Sequence, residues 1–307
     1  MSSTLSRVDG ATLPLASPGW RATLNDYVEL TKPRIIVLLL VTTLAAMLMA
    51  ARGLPPLGLT FWTLLGGALA AASAGVFNCV YDADIAAKMR RTMARPLPRG
   101  AISPARALAF AMVLGAGSFL ILTYLVNPLA AWLSLAGNGY YVFIYTMWLK
   151  RRTPQNIVIG GAAGSIPPLV GWAAVTGSLG APAILLFIVI FLWTPPHFWA
   201  LALMTETDYA KAGIPMLPNV AGVARTKRDI FAYTLILIAV CVAAVALHVM
   251  GPIFLIASLA LGGWFAYDAA KLFGSDTKLY ARRTFTFSLL YLALMSAAMV
   301  VDRIVFA

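Results

Sequence analysis

Gly58-Leu-Thr-Phe-Trp-Thr-Leu-Leu-Gly-Gly-Ala-Leu-Ala-Ala-Ala-Ser-Ala-Gly-Val-Phe-Asn78-Cys-Val-Tyr-Asp82-Ala-Asp84-Ile-Ala86 is the stretch that decides the fold. No charge interrupts it from Gly58 to Phe77. A helix of about 20 apolar residues crosses the hydrocarbon of a bilayer. The run ends on a carboxamide and two carboxylates, and Lys88, Arg90, Arg91, Arg95 and Arg99 follow before Gly100. Acids at the mouth of a span mark a protein that handles a cation, a proton or a charged substrate. Acids followed by bases point to a polyanion held through a divalent metal.

Working outward, the same apolar signature recurs. Hydrophobic residues make up 61% of the chain and its mean hydropathy is +0.85, which excludes an ordinary soluble domain. Spans are predicted at 35–51, 58–80, 104–125, 128–148, 156–177, 181–203, 230–250, 252–272 and 284–301. The segment 128–148 is interrupted by Gly137, Asn138 and Gly139, and the last span is short, so the count is nine or eight. No linker separates two cores. The chain divides into a tail at 1–34 and a single transmembrane domain at 35–303.

Lys and Arg alternate between connections. They fall in the N-terminal tail, in 81–106, in 149–155, in 204–229 and in 271–283, leaving only Arg52 and Arg303 on the other side. The positive-inside rule then predicts that the N-terminus and the long loops are cytoplasmic. The net charge of +12 is a topology signal, with no nucleic-acid partner implied. Cys79 and Cys241 both lie within spans and lack metal spacing. A bacterial inner membrane is the expected location. The alternative is the mitochondrial inner membrane, since Arg7 and Arg21 sit among Ser and Thr as in a presequence, though Asp9, Pro14 and Pro18 oppose it.

Both long loops carry candidate chemistry. Asn78 and Asp82, four residues apart, share a helix face. Asp84 points away from that face and reaches the same ion only if the backbone unwinds, which membrane proteins allow where backbone lines a polar cavity. Oxygen ligands of this kind suit Mg²⁺, which takes few protein ligands and completes its shell with water and phosphate. Arg91, Arg95 and Arg99 recur every four residues, but Pro96 and Pro98 exclude a regular helix. An extended segment fanning guanidinium forks over an anion is expected. The bland reading of each arginine is retention on the basic side.

The second loop follows Trp193-Thr-Pro-Pro-His197-Phe-Trp199, in which a Pro-Pro pair kinks the span. An intramembrane histidine is functional by default; His197 is expected to ligate haem iron, bond a substrate group or shuttle a proton, against the alternative of a packing histidine. Glu206, Asp208 and Tyr209 supply a second acidic corner, and Lys150, Arg151, Arg152 and Asn156 a third. Phe77, Tyr81, Tyr145 and Trp148 offer π faces near these mouths for an allylic cation, against the plainer reading that most are ordinary belt or core residues.

These residues resemble the membrane prenyltransferases of the UbiA superfamily, and within it the haem-farnesylating branch. The resemblance covers roughly 26–303 and rests on Leu30-Thr-Lys-Pro-Arg34, Asn78 to Gly100, Tyr145 to Gly161, Trp193 to Trp199 and Asp208 to Pro218. It implies an all-α polytopic bundle of nine helices around a central cavity. It implies Mg²⁺-dependent transfer of farnesyl from farnesyl diphosphate to a vinyl group of haem b, giving haem O, with the lipid bilayer as surroundings. Haem A synthase or a terminal oxidase assembly are the partners it suggests.

Residue by residue, Asn78 and Asp82 match the first metal–diphosphate motif, Asp208 the acid of the second loop, Arg91 and Arg95 the basic positions, and His197 the haem-binding or catalytic histidine. The candidate metal set is thus Asn78, Asp82, Asp84 and Asp208, and the catalytic set Asp82, His197 and Asp208. The candidate substrate-binding set is Lys32, Arg34, Asn78, Arg91, Arg95, Lys150, Asn156, His197 and Tyr209. Ala86 departs from the pattern, which carries an acid there. Competing readings are a related enzyme acting on an aromatic or quinone-precursor acceptor, and a transporter using Asp82 as its ion site. Against the transporter, polar groups cluster at one end, whereas a conduction path needs them throughout.

Overall fold

The computed structural model describes residues 20–274 and 277–306, so most of the 1–34 tail, with Arg7, lies outside the described residues. Among the described residues the chain is helical without strands. In order the elements are α1 (Trp20–Thr31), α2 (Pro33–Ala51), α3 (Leu57–Tyr81), α4 (Ala83–Lys88), α5 (Pro104–Leu125) and α6 (Pro128–Gly139). A π-helix, π1 (Tyr140–Leu149), continues α6. Then come α7 (Asn156–Thr176), α8 (Ala181–Met204), α9 (Glu206–Lys211), α10 (Leu217–Ala221), α11 (Val223–Ala246), α12 (Pro252–Lys271) and α13 (Thr277–Val305).

Local chemistry explains the helix starts. Proline stands at the first positions of α2, α5, α6 and α12, where its missing N–H costs no bond. The side chains of Ser103 and Asn127 cap α5 and α6 by accepting from Arg106 and Ala130. Among the described residues eight helices, α2, α3, α5, α7, α8, α11, α12 and α13, are long and apolar enough to cross a membrane. The expected span at 128–148 has a different form. After Gly137 and Gly139 the helix widens, and Lys150 N–H bonds the carbonyl of Tyr145, five residues back. Asn138 sits at the change and donates to the Ala70 carbonyl of α3. The last span is also longer than expected, running unbroken from Thr277 to Val305. Two of its charges have partners: Arg283 pairs with Asp268, and Asp302 accepts from the backbone of Gly251 and Phe254.

Apolar side chains gain little by leaving lipid for protein, so close packing holds such bundles together. Helix α7 illustrates this, since α2, α6, π1 and α8 all pack against it. A Cβ on Gly171 would stand 2.2 Å from the Thr43 carbonyl, one on Gly160 2.3 Å from the Tyr145 ring, and one on Gly161 3.0 Å from Thr194. The main core joins Met49, Trp172, Leu186, Trp193, Phe254, Phe265 and Tyr291. Two satellite cores pin the loops. Leu30, Val76, Leu97 and Ile102 hold segment 96–102 onto α3 and α5. Ile85, Met89, Tyr209, Ile214, Met216 and Leu217 hold α4, α9 and α10 beneath Trp199 and Ile230.

Candidate functional site

The mouth of the bundle forms where α3 meets α4. Asp82 bends slightly out of helical geometry (φ −95°, ψ 11°), yet its N–H still bonds the Asn78 carbonyl at 3.0 Å and its carbonyl accepts from Ala86 at 2.8 Å. The chain therefore does not unwind. Asn78 and Asp82 lie one above the other, both buried, with Asn78 Nδ2 donating to Asp82 Oδ2 at 2.8 Å and to Thr146 Oγ1 at 3.1 Å. Asp84 is carried away from them. Arg151 grips both its oxygens, at 2.8 and 2.9 Å, and the Tyr81 carbonyl at 2.6 Å. That guanidinium holds the Asp84 carboxyl below the usual carboxylate range. Ala86 extends the Asn78–Asp82 row and adds no oxygen beyond its backbone.

Cations close around this pair. Lys150 Nζ donates to Asp82 Oδ2, and Lys32 Nζ to Asn78 Oδ1. Lys32 reaches it from a left-handed backbone (φ 58°, ψ 58°) directly before Pro33, a conformation costing about 1–3 kcal/mol for a non-glycine residue. Burial pulls the Lys32 ammonium below its ordinary value, and the charges of Arg95, Asp82 and Arg91 also act on it. Arg91 donates to Tyr209 Oη at 3.1 Å and lies over its ring, while burial pushes the Tyr209 phenol up. The arginine segment is not extended. It coils through successive turns (Arg95 N–H to Thr92, Arg99 N–H to Arg95), because Pro96 and Pro98 end helices without preventing turns. This spreads the arginines, and Arg99 pairs with Asp26 of α1.

Other candidates stand apart. Arg34 is exposed at the start of α2. Asn156 is fully buried at the start of α7, with Nδ2 on the Thr153 carbonyl and Oδ1 without a hydrogen bond. Asp208 is half-buried on α9 and forms no ion pair or side-chain hydrogen bond among the described residues. No cluster of three His, Cys, Asp or Glu exists among the described residues. Even so, Asp82 Oδ1 is buried without a hydrogen bond, and Arg151 approaches no closer than 3.8 Å. A buried, unsatisfied carboxylate oxygen fits Mg²⁺, which binds through one or two carboxylates plus phosphate.

Deeper in α8, Pro195 and Pro196 leave the carbonyls of Phe191 and Leu192 without helical donors, and His197 follows. Its ring is stacked between Trp193 (4.4 Å) and Phe285 (4.7 Å), and Nδ1 lies 2.6 Å from Ser288 Oγ. Sequence reading overlooked Thr146 and Ser288, for which no local signal exists, and underrated Arg151, whose signal was its place in a basic triplet. A cleft of about 500 Å³ opens between α3, α5 and the α6–π1 line, with Phe77, Tyr81, Met112, Asn138 and Met147 on its walls.

Residues 39–295 match the model of the UbiA prenyltransferase family. A protoheme IX farnesyltransferase from Gloeobacter violaceus is 54% identical over 94% of both chains. Another from Chloroflexus aurantiacus is 50% identical over 94% of this chain, which spans about half (49%) of that relative's length. Among solved structures, one from work on digeranylgeranylglyceryl phosphate synthase superposes with a TM-score of 0.76 at 18% identity, covering 92% of this chain and 99% of the other. A UbiA homologue from Archaeoglobus fulgidus bound to GPP and Mg²⁺ gives 0.68 at 17% identity, covering 89% and 99%. The chain belongs to the UbiA prenyltransferase family and is a multi-pass membrane protein.

Proposed function

We propose that this UbiA-family chain moves a farnesyl group from farnesyl diphosphate onto a vinyl carbon of haem b, releasing diphosphate and yielding haem O. The observation that carries the choice of acceptor is the 54% identity, end to end, with a protoheme IX farnesyltransferase. The cation-ringed Asp82 supports the donor half independently. Lys32, Arg91, Arg95 and Lys150 bind the diphosphate as it gains charge, and fixed charges of this kind lower the barrier without reorganising. Asp82 Oδ1 and Asp208 would hold Mg²⁺, which neutralises charge on the leaving group when bound.

Bond changes balance simply. The farnesyl C–O bond breaks with its electron pair leaving on diphosphate. The vinyl π pair forms the new C–C bond, and water adds to the resulting cationic carbon and loses a proton. Tyr141, Tyr145 and Phe77 flank the mouth with π faces for the allylic cation. The orientation that fits the basic segments puts this mouth on the cytoplasmic side of a bacterial inner membrane. The α6–π1 line then serves as a ninth crossing, within one transmembrane domain at 35–303. Haem O supply to a terminal oxidase, with haem A synthase as a neighbour, is the role that follows.

The test is mass analysis of the products extracted after the purified chain is incubated with farnesyl diphosphate, Mg²⁺, haem b and a competing aromatic acceptor. Haem carrying farnesyl plus water is expected. Unchanged haem beside a farnesylated aromatic acceptor would overturn the reading.

A further inference from the structure

Two close contacts of the His197 niche meet at one atom, Ser288 Oγ. Ser288 Oγ lies 2.7 Å from the Phe285 carbonyl and 2.6 Å from His197 Nδ1. Two oxygens at 2.7 Å need a hydrogen between them, and only the serine hydroxyl can supply it. That hydroxyl has no second proton for the imidazole. The Nδ1 contact must therefore be an N–H donating to Ser288 Oγ, which leaves the lone pair of the neutral ring on Nε2. Nε2 makes no hydrogen bond among the described residues.

The surroundings hold this arrangement in place. Trp193 and Phe285 clamp the two faces of the ring. Trp193 Nε1 also donates to the Ser288 carbonyl at 2.7 Å, tying α8 to α13 at the same point. Ser288 is fully buried, so no solvent competes for its hydroxyl.

We propose that Ser288 is a positioning residue that fixes His197 in its Nδ1–H form and presents Nε2 as an electron-pair donor to the iron of the haem substrate. This rests on the haem-transferase reading above. Imidazole ligands of metals commonly donate their other N–H to an oxygen, and losing that oxygen typically lowers metal affinity about 10–100-fold.

The experiment has two arms on the full chain in lipid nanodiscs. The chain has only 2 histidines, so His248→Asn leaves His197 alone, and ¹⁵N NMR reads its tautomer without haem. Protonated Nδ1 is expected; protonated Nε2 overturns the assignment whatever the substrate. In the second arm haem b is titrated against wild type, Ser288→Ala, Ser288→Thr and His197→Ala. An imidazole-ligated Soret spectrum is expected in wild type and lost in His197→Ala. Ser288→Ala should weaken haem affinity about 10–100-fold and raise KM for haem but not for farnesyl diphosphate, and Ser288→Thr should restore both. Unchanged affinity in Ser288→Ala overturns the positioning role while the functional reading stands. A wild type that takes up no haem at all overturns the functional reading and this inference with it.

Discussion

Asp82 and His197 are buried to nearly the same degree, 6% and 8% exposed, but their partners come from different distances along the chain. Asp82 and its neighbour Asn78 draw Lys32 from before α2, Thr146 from π1 and Lys150 from the turn after it. His197 draws its partners from α8 and α13 alone. The mouth is a charged site whose geometry depends on loops pinned by two satellite cores. The niche is a neutral site set by the packing of two spans. Charge in low dielectric needs several partners from several elements, whereas a neutral ring needs one correct hydrogen bond.

The contrast breaks most clearly at Asp82. Asp82→Asn keeps the shape, removes the charge and leaves Lys150 without its carboxylate. Turnover should fall about 100–1000-fold, the scale of losing one preorganised electrostatic group, while the haem-binding spectrum from the His197 niche is unchanged. Initial rates and Soret titration on one preparation check both halves. Turnover within threefold of wild type would remove Asp82 from the chemistry.

A smaller effect should couple the two regions through α7. Gly160 faces Tyr145 of π1 and Gly161 faces Thr194 of α8. Gly160→Val forces methyl groups into the Tyr145 ring, and overpacking costs about 1–3 kcal/mol. Thermal inactivation in detergent should shift down by several degrees. An unshifted transition would mean that π1 is free to move aside.

The smallest effect separates the sites by pH. Burial holds folded Lys32 below its ordinary value, against about 10.4 for a free lysine. Between the folded and unfolded values the unfolded chain binds more protons, so this group makes stability rise with pH in that window. Function runs the other way, because the ammonium that meets diphosphate is lost sooner than on a free lysine. KM for farnesyl diphosphate should climb on the alkaline side below about pH 10.4 while KM for haem stays flat. Lys32→Arg, which cannot deprotonate, should abolish the climb. A climb that persists in that variant assigns it to another group.

Legibility followed distance along the chain. Asn78 and Asp82 were readable as one face because helical spacing is local, and their bond at 2.8 Å follows from it. The spans were readable because hydropathy adds residue by residue. Asp84 was misplaced because its direction depends on whether the helix unwinds, and Arg151, 67 residues away, occupies it instead. The arginines were drawn as an extended fan because proline excludes helix without specifying which turn replaces it. π1 lay hidden in an apolar run that reads equally well as an ordinary span.

By itself the sequence determined an all-helical membrane bundle and the motifs of a prenyltransferase. Both depend on composition and short spacing, which any fold of the chain preserves. The tertiary structure alone decided which oxygen of Asp82 remains free, which lysine occupies the other, and which nitrogen of His197 carries the proton. These depend on side chains 68 and 91 residues apart meeting at hydrogen-bond distance, and such bonds change completely over an ångström that no sequence pattern encodes.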